Sequence, residues 1–122
     1  MNITWCETRP NRVMKSDVSI TLAGDKRRLI IRISAGAMAT KMKNAERICV
    51  GFDERNTVLA FAPGTSSGFK VTRSNNKSAT ILLSVSRVEG HIKPHELPGD
   101  YYFKKDEESG IYYIPIGALC HR

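Results

Sequence analysis

Val18-Ser19-Ile20-Thr21-Leu22-Ala23-Gly24-Asp25-Lys26-Arg27-Arg28-Leu29-Ile30-Ile31-Arg32-Ile33 alternates strictly as far as Leu22, breaks into turn-forming residues at 23–27, and resumes as a β-branched apolar run. A period of two on either side of a Gly-Asp turn is the signature of a β-hairpin with one buried face. The alternation stops after it. Between Gly36 and Lys43, the residues Ala37, Met38, Ala39, Lys41, Met42 and Lys43 favour one or two helical turns, with Ser34 placed to cap them.

Reading outward, Arg47-Ile48-Cys49-Val50-Gly51-Phe52 alternates again with Ile48, Val50 and Phe52 on one face, and Asp53-Glu54-Arg55-Asn56 turns it into Thr57-Val58-Leu59-Ala60-Phe61. This predicts a second hairpin. After the turn-rich Pro63-Gly64-Thr65-Ser66-Ser67-Gly68, the pair Phe69–Thr72 and Thr80–Val85 predicts a third, around Ser74-Asn75-Asn76-Lys77. Residues 87–98 hold Gly90, Pro94 and Pro98 and cannot continue a regular helix. Asp100–Lys104 and Ile111–Ile114, around Asp106-Glu107-Glu108-Ser109-Gly110, predict a fourth hairpin.

The order hairpin, connection, hairpin therefore occurs twice. Ile33-Ser34 precedes Asp53 by about 20 residues, Val85-Ser86 precedes Asp106 by about the same, and each Asp precedes an apolar strand by five positions, at Val58 and Ile111. We expect a mainly β single domain of duplicated two-hairpin units, forming one pseudo-symmetric barrel or sandwich with one short helix. Its parts are an N-terminal arm at 1–16, a first repeat at 17–63, a linker at 64–67, a second repeat at 68–116 and a tail at 117–122.

At 122 residues the chain has the size of one domain. No apolar run reaches the roughly 18 residues of a membrane span, and the segment Met1–Glu7 lacks the basic-then-apolar pattern of a secretory signal, so no membrane association and a cytoplasmic location are expected. Cys6, Cys49 and Cys120 are odd in number and far apart, which fits free thiols in a reducing compartment. The formal charge is +7, of which the residues up to Pro63 contribute eleven basic against six acidic side chains. A polyanion site is expected in that half first.

The segment from Leu29-Ile30-Ile31-Arg32-Ile33-Ser34, through the short helix ending at Lys43-Asn44-Ala45-Glu46, to Arg47–Glu54 and Val58-Leu59-Ala60-Phe61 resembles the AbrB-like swapped-hairpin pattern. In that family two copies interlock and present basic residues to DNA. The resemblance implies that Lys26, Arg27, Arg28 and Arg32, with Lys41, Lys43 and Arg47 around the helix, face phosphate. The whole chain is also similar to small phage and prophage proteins of the same layout. Alternatively these cations serve solubility, since Lys and Arg at strand edges block aggregation.

Catalytic and metal-binding constellations do not assemble. His91 and His95 stand four apart, but Pro94 intervenes and no familiar zinc spacing is completed. Asp106-Glu107-Glu108 sits in an expected solvent-exposed turn, Cys49 has no paired His, and there is no phosphate-cradling Gly-rich loop. No enzyme activity, cofactor or metal is expected. Tyr101, Tyr102, Phe103, Tyr112 and Tyr113 cluster near Lys104 and Lys105; alternation puts Tyr101 and Phe103 on one face and Tyr102 on the other. The leading expectation is a non-enzymatic phage-type protein binding nucleic acid. The alternative is a small inhibitor or adaptor, such as an anti-defence factor, that grips a host protein through Tyr101, Tyr102, Tyr112 and Tyr113. Either a monomer or a homodimer satisfies both.

Overall fold

A computed structural model describes residues 16–53, 58–74, 77–87 and 93–116, together with Asn2. The expected arm with Trp5, and Cys6, His91, Cys120 and the tail, lie outside the described residues, as does the side chain of His95.

Alternation becomes a hairpin of β1 (Val18–Leu22) and β2 (Arg28–Ile33), paired so that Val18 faces Ile33 and Ile20 faces Ile31. With a period of two, this register sends Val18, Ile20, Leu29, Ile31 and Ile33 to one side, where all five are buried. The helix α1 (Ala35–Thr40) follows; the Ser34 hydroxyl accepts the Ala37 N–H at 3.2 Å, and Ala37 and Met38 are buried. Its exit is tight: Lys43 and Asn44 both adopt left-handed backbone angles, φ 54° and 52°, and the Asn44 N–H returns to the Met38 carbonyl at 2.7 Å.

The second hairpin is β3 (Arg47–Asp53) with β4 (Val58–Gly64), in a register that pairs Gly51 with Ala60 and Phe52 with Leu59. The expected third and fourth hairpins are each redistributed over both sheets. Instead of one strand over Phe69–Thr72, β5 (Phe69–Lys70) pairs with β3, and β6 (Thr72–Arg73) pairs with β7 (Ala79–Ser84). The chain changes sheet at Val71, which is buried and donates its N–H to the Glu46 carbonyl at 3.0 Å. Gly68 permits the approach: at φ 101° it lies so close to β3 that a Cβ would stand 2.8 Å from the Ile48 carbonyl carbon.

The other corner repeats this arrangement. Strand β8 (Gly99–Tyr101) pairs with β1, whereas β9 (Lys104–Lys105) pairs with β10 (Tyr112–Pro115). Between them the Phe103 N–H donates to the Asp17 carboxylate at 2.9 Å, and the Asp17 N–H donates to the Tyr101 carbonyl at 3.0 Å. Residues 85–87 and 94–96 form single 3₁₀ turns rather than a helix.

The result is two five-stranded antiparallel sheets, β6-β7-β2-β1-β8 and β5-β3-β4-β10-β9, with one short helix. Their inner faces share one core, in which Ile31, Leu29 and Ile81 of the first sheet join Ile48, Leu59, Phe61 and Ile114 of the second. Phe103 closes it at the corner, its ring edge-on to Phe61 at 5.4 Å and to Tyr112 at 5.9 Å between centroids. No helix of the described residues is long and apolar enough to cross a membrane.

Candidate nucleic-acid interface

The face of β2 turned away from the core carries Arg28, Ile30 and Arg32, since the alternate positions Leu29, Ile31 and Ile33 are buried. Pairing places Ser84, Leu82 and Thr80 of β7 beside them, in that order. Leu82 is half exposed, at 50%. An apolar spot thus lies between two arginines that are roughly 14 Å apart along the strand, four residues at about 3.4 Å each.

The turn between β1 and β2 fixes more cations at one end of this face. Lys26 sits at φ 58° and donates its N–H to the Ala23 carbonyl at 2.8 Å. The Asp25 carboxylate accepts the Arg27 N–H at 2.9 Å and lies 3.8 Å from the Arg28 guanidinium. That ion pair is about half exposed on both sides and holds Arg28 only weakly, worth under about 1 kcal/mol. The Arg27 carbonyl accepts the Val85 N–H at 2.9 Å, which ties the turn to the end of β7 and to the 3₁₀ turn that carries Arg87. Arg87 in turn lies over the Phe69 ring, 6.0 Å from guanidinium carbon to centroid.

An open groove of about 500 Å³ is lined by Arg27, Arg28, Arg87, Phe69, Leu82, Ser84 and Asp25. Three guanidinium groups converge there against one carboxylate. Arginine suits such a site because its planar fork pairs bidentately with phosphate and it stacks on flat rings.

The seven cations expected to face phosphate do not form one patch. Arg27 and Arg28 line this groove, Lys26 precedes them in the same turn, and Arg32 continues the same face. Lys41 instead pairs with Asp17 at 3.6 Å, in the corner where that carboxylate also holds Phe103. Arg47 donates to the Gly68 carbonyl at 3.2 Å. Lys41 and Lys43 line a separate groove of about 370 Å³ with Phe61, Lys105 and Tyr112. Arg87 was missed by sequence reasoning, because residues 87–98 read only as an irregular connection; nothing short of the β2–β7 pairing brings it to Arg27.

The aromatic hairpin is likewise divided. Tyr102, on the face opposite Tyr101 as alternation predicted, is 62% exposed, while Tyr101 is buried and donates its hydroxyl to the Leu97 carbonyl. Tyr101 therefore belongs to the core rather than to a partner surface. Tyr112 packs against Phe103, and Tyr113, opposite Ala60 on β4, lines a third groove of about 360 Å³ with Asp53, Val58, Asp106 and Ile111. The Asp106 carboxyl is held below its ordinary range, first by the Ser109 hydroxyl donating at 2.6 Å and then, against the small opposing effect of desolvation, by backbone N–H groups of Glu108 and Ser109. Among the described residues no three His, Cys, Asp or Glu side chains are grouped to hold a metal ion. Comparison with known proteins finds no family model, no curated protein and no solved structure that matches the chain, so the functional reading rests on this geometry.

Proposed function

We propose that this chain is a non-enzymatic nucleic-acid-binding protein that contacts phosphates through the outer face of the first sheet. The observation that carries the reading is the convergence of Arg27, Arg28 and Arg87 on one groove, with Arg32 further along the same face. Neutralising several phosphates releases condensed counterions, and that release is the main source of affinity for such a surface.

A second feature supports a selected rather than incidental charge. Of the four non-glycine residues at positive φ among the described residues, three are lysines: Lys26, Lys43 and Lys77. Glycine or asparagine would hold those angles at about 1 kcal/mol less strain. Solubility alone is served as well by a lysine at an unstrained position.

We infer further that the fold is a duplicated unit, its two sheets forming one pseudo-symmetric barrel or sandwich. Adding 53 to the β3–β4 pairs Gly51–Ala60 and Phe52–Leu59 gives the β9–β10 pairs Lys104–Tyr113 and Lys105–Tyr112. Adding 51 carries Lys26, whose N–H reaches Ala23, onto Lys77, whose N–H reaches Ser74, both left-handed. The pairs Asp53 and Asp106, Val58 and Ile111, and Ala60 and Tyr113 meet in one groove, as expected about a two-fold axis. On this reading β2 and β7 are equivalent strands side by side, and the basic face is built from both halves.

The test is fluorescence anisotropy of labelled nucleic acid across salt concentration. A steep linear fall of log affinity with log salt is expected, and a variant reversing charge at Arg27 and Arg28 should lose roughly one unit of slope per phosphate contact removed. Absence of binding at low salt overturns the proposal.

A further inference from the structure

The groove at Arg27, Arg28 and Arg87 has a feature that phosphate contact alone does not need, namely two large apolar side chains in its lining, Phe69 and Leu82. Leu82, half exposed, is part of its lining, and the Phe69 ring lies beneath Arg87. We propose that this groove is a nucleotide subsite that seats an unpaired base together with its phosphate, so that the protein prefers single strands to duplex. The inference rests on the nucleic-acid reading above and narrows it to one class of ligand.

Shape, apolar surface and charge support it together. The groove is open, at about 500 Å³, and offers room for the face of one base rather than an enclosure. In a duplex the bases are stacked inside and show only their edges, so a paired base cannot enter such a recess. A base in a single strand is free to turn towards it, and its flat apolar face then covers Leu82. Arg87 supplies the plane: a guanidinium resting on Phe69 keeps its other face for a base, and it is weakly enough hydrated to be covered without a large desolvation loss. Arg27 and Arg28 line the same groove and are available to the phosphate attached to that base. Asp25 fixes the turn through the Arg27 backbone N–H and pairs weakly with the Arg28 side chain, which leaves both guanidinium groups free to reach a phosphate.

The experiment compares four labelled probes of equal length by anisotropy at one low salt concentration: a thymidine deoxy strand, a uridine ribo strand, an abasic phosphodeoxyribose strand and a duplex. Binding of a strand that carries bases roughly tenfold tighter than the abasic strand and the duplex is expected. Whichever of the deoxy and ribo strands binds more tightly identifies the natural source. Two variants check that the groove is responsible. Arg87→Lys keeps the charge and removes the plane, and Phe69→Leu keeps apolar bulk and removes the ring; each should bring the based strands down towards the abasic one while the salt slope is retained. A thermal melt of each variant confirms that it is folded. Equal affinity for the based and abasic strands, or a preference that survives Arg87→Lys, overturns the single-strand subsite and leaves phosphate binding standing. Failure of all four probes to bind overturns both.

Discussion

Lysine is an uneconomical residue at a left-handed turn position, and Lys26 and Lys77 both occupy one. Replacing either by glycine removes the Cβ clash but adds freedom to the unfolded chain, so the net gain in stability is expected at about 0.5–1 kcal/mol, read by denaturant midpoint. If the lysines face phosphate, the same variants bind nucleic acid less tightly, and stability and affinity move in opposite directions. Asp106 offers a pH readout of a different kind. Its carboxyl titrates below the ordinary value because Ser109 donates to it, so Ser109→Ala should move that pKa upward in an NMR titration. Since a depressed carboxylate stabilises above its unfolded pKa, the wild-type contribution is lost as pH falls through the folded pKa, and Ser109→Ala loses it earlier. The positions of single residues were legible unevenly. Alternation separated Tyr102 from Tyr101 and Phe103 without saying which face is buried, whereas left-handed lysines have no signature, because Lys26 and Lys77 lie in stretches that read simply as polar turns.

Strands β5 and β6 carry the plainest test at the scale of elements. Gly68 has both a left-handed angle and no room for a Cβ beside Ile48, so Gly68→Ala should destabilise by about 2 kcal/mol or more and free β5 from β3, seen as faster amide exchange. At the opposite corner Asp17→Ala removes the acceptor of the Phe103 N–H and the partner of Lys41, with an expected loss of about 1–3 kcal/mol in chemical denaturation. The sequence legibly gave β1 with β2, β3 with β4 and the Ser34-capped helix, because each is set by contacts close in the chain. It did not reveal that Phe69–Arg73 and Gly99–Lys105 each serve two sheets. Periodicity reports which residues are apolar, but the choice of neighbour for β5 or β8 is made by distant strands, and the decisive groups, Gly68 and Asp17, lie just outside the strands they place.

In the molecule as a whole, both sheets depend on one core, so damage to it should be felt everywhere at once. Phe61 is fully buried between the sheets and edge-on to Phe103; Phe61→Ala is expected to lower stability by about 3–5 kcal/mol, with circular dichroism and tryptophan-independent probes melting together. The candidate site was half legible at this scale: charge counting pointed to the first half of the chain and the resemblance named Arg27, Arg28 and Arg32 among seven cations, but assembling the groove required Arg87 and Phe69, which come from other parts of the chain. A last consequence concerns crowding. The outermost strands, β5, β6, β8 and β9, are two or three residues long, and each runs within a few residues into the outermost strand of the other sheet. A fibril grows by templating fresh strands on a long exposed margin, and these margins offer too few backbone groups to seed one. The protein should therefore tolerate high concentration without amyloid, its two bends acting as hems that keep the cloth from fraying.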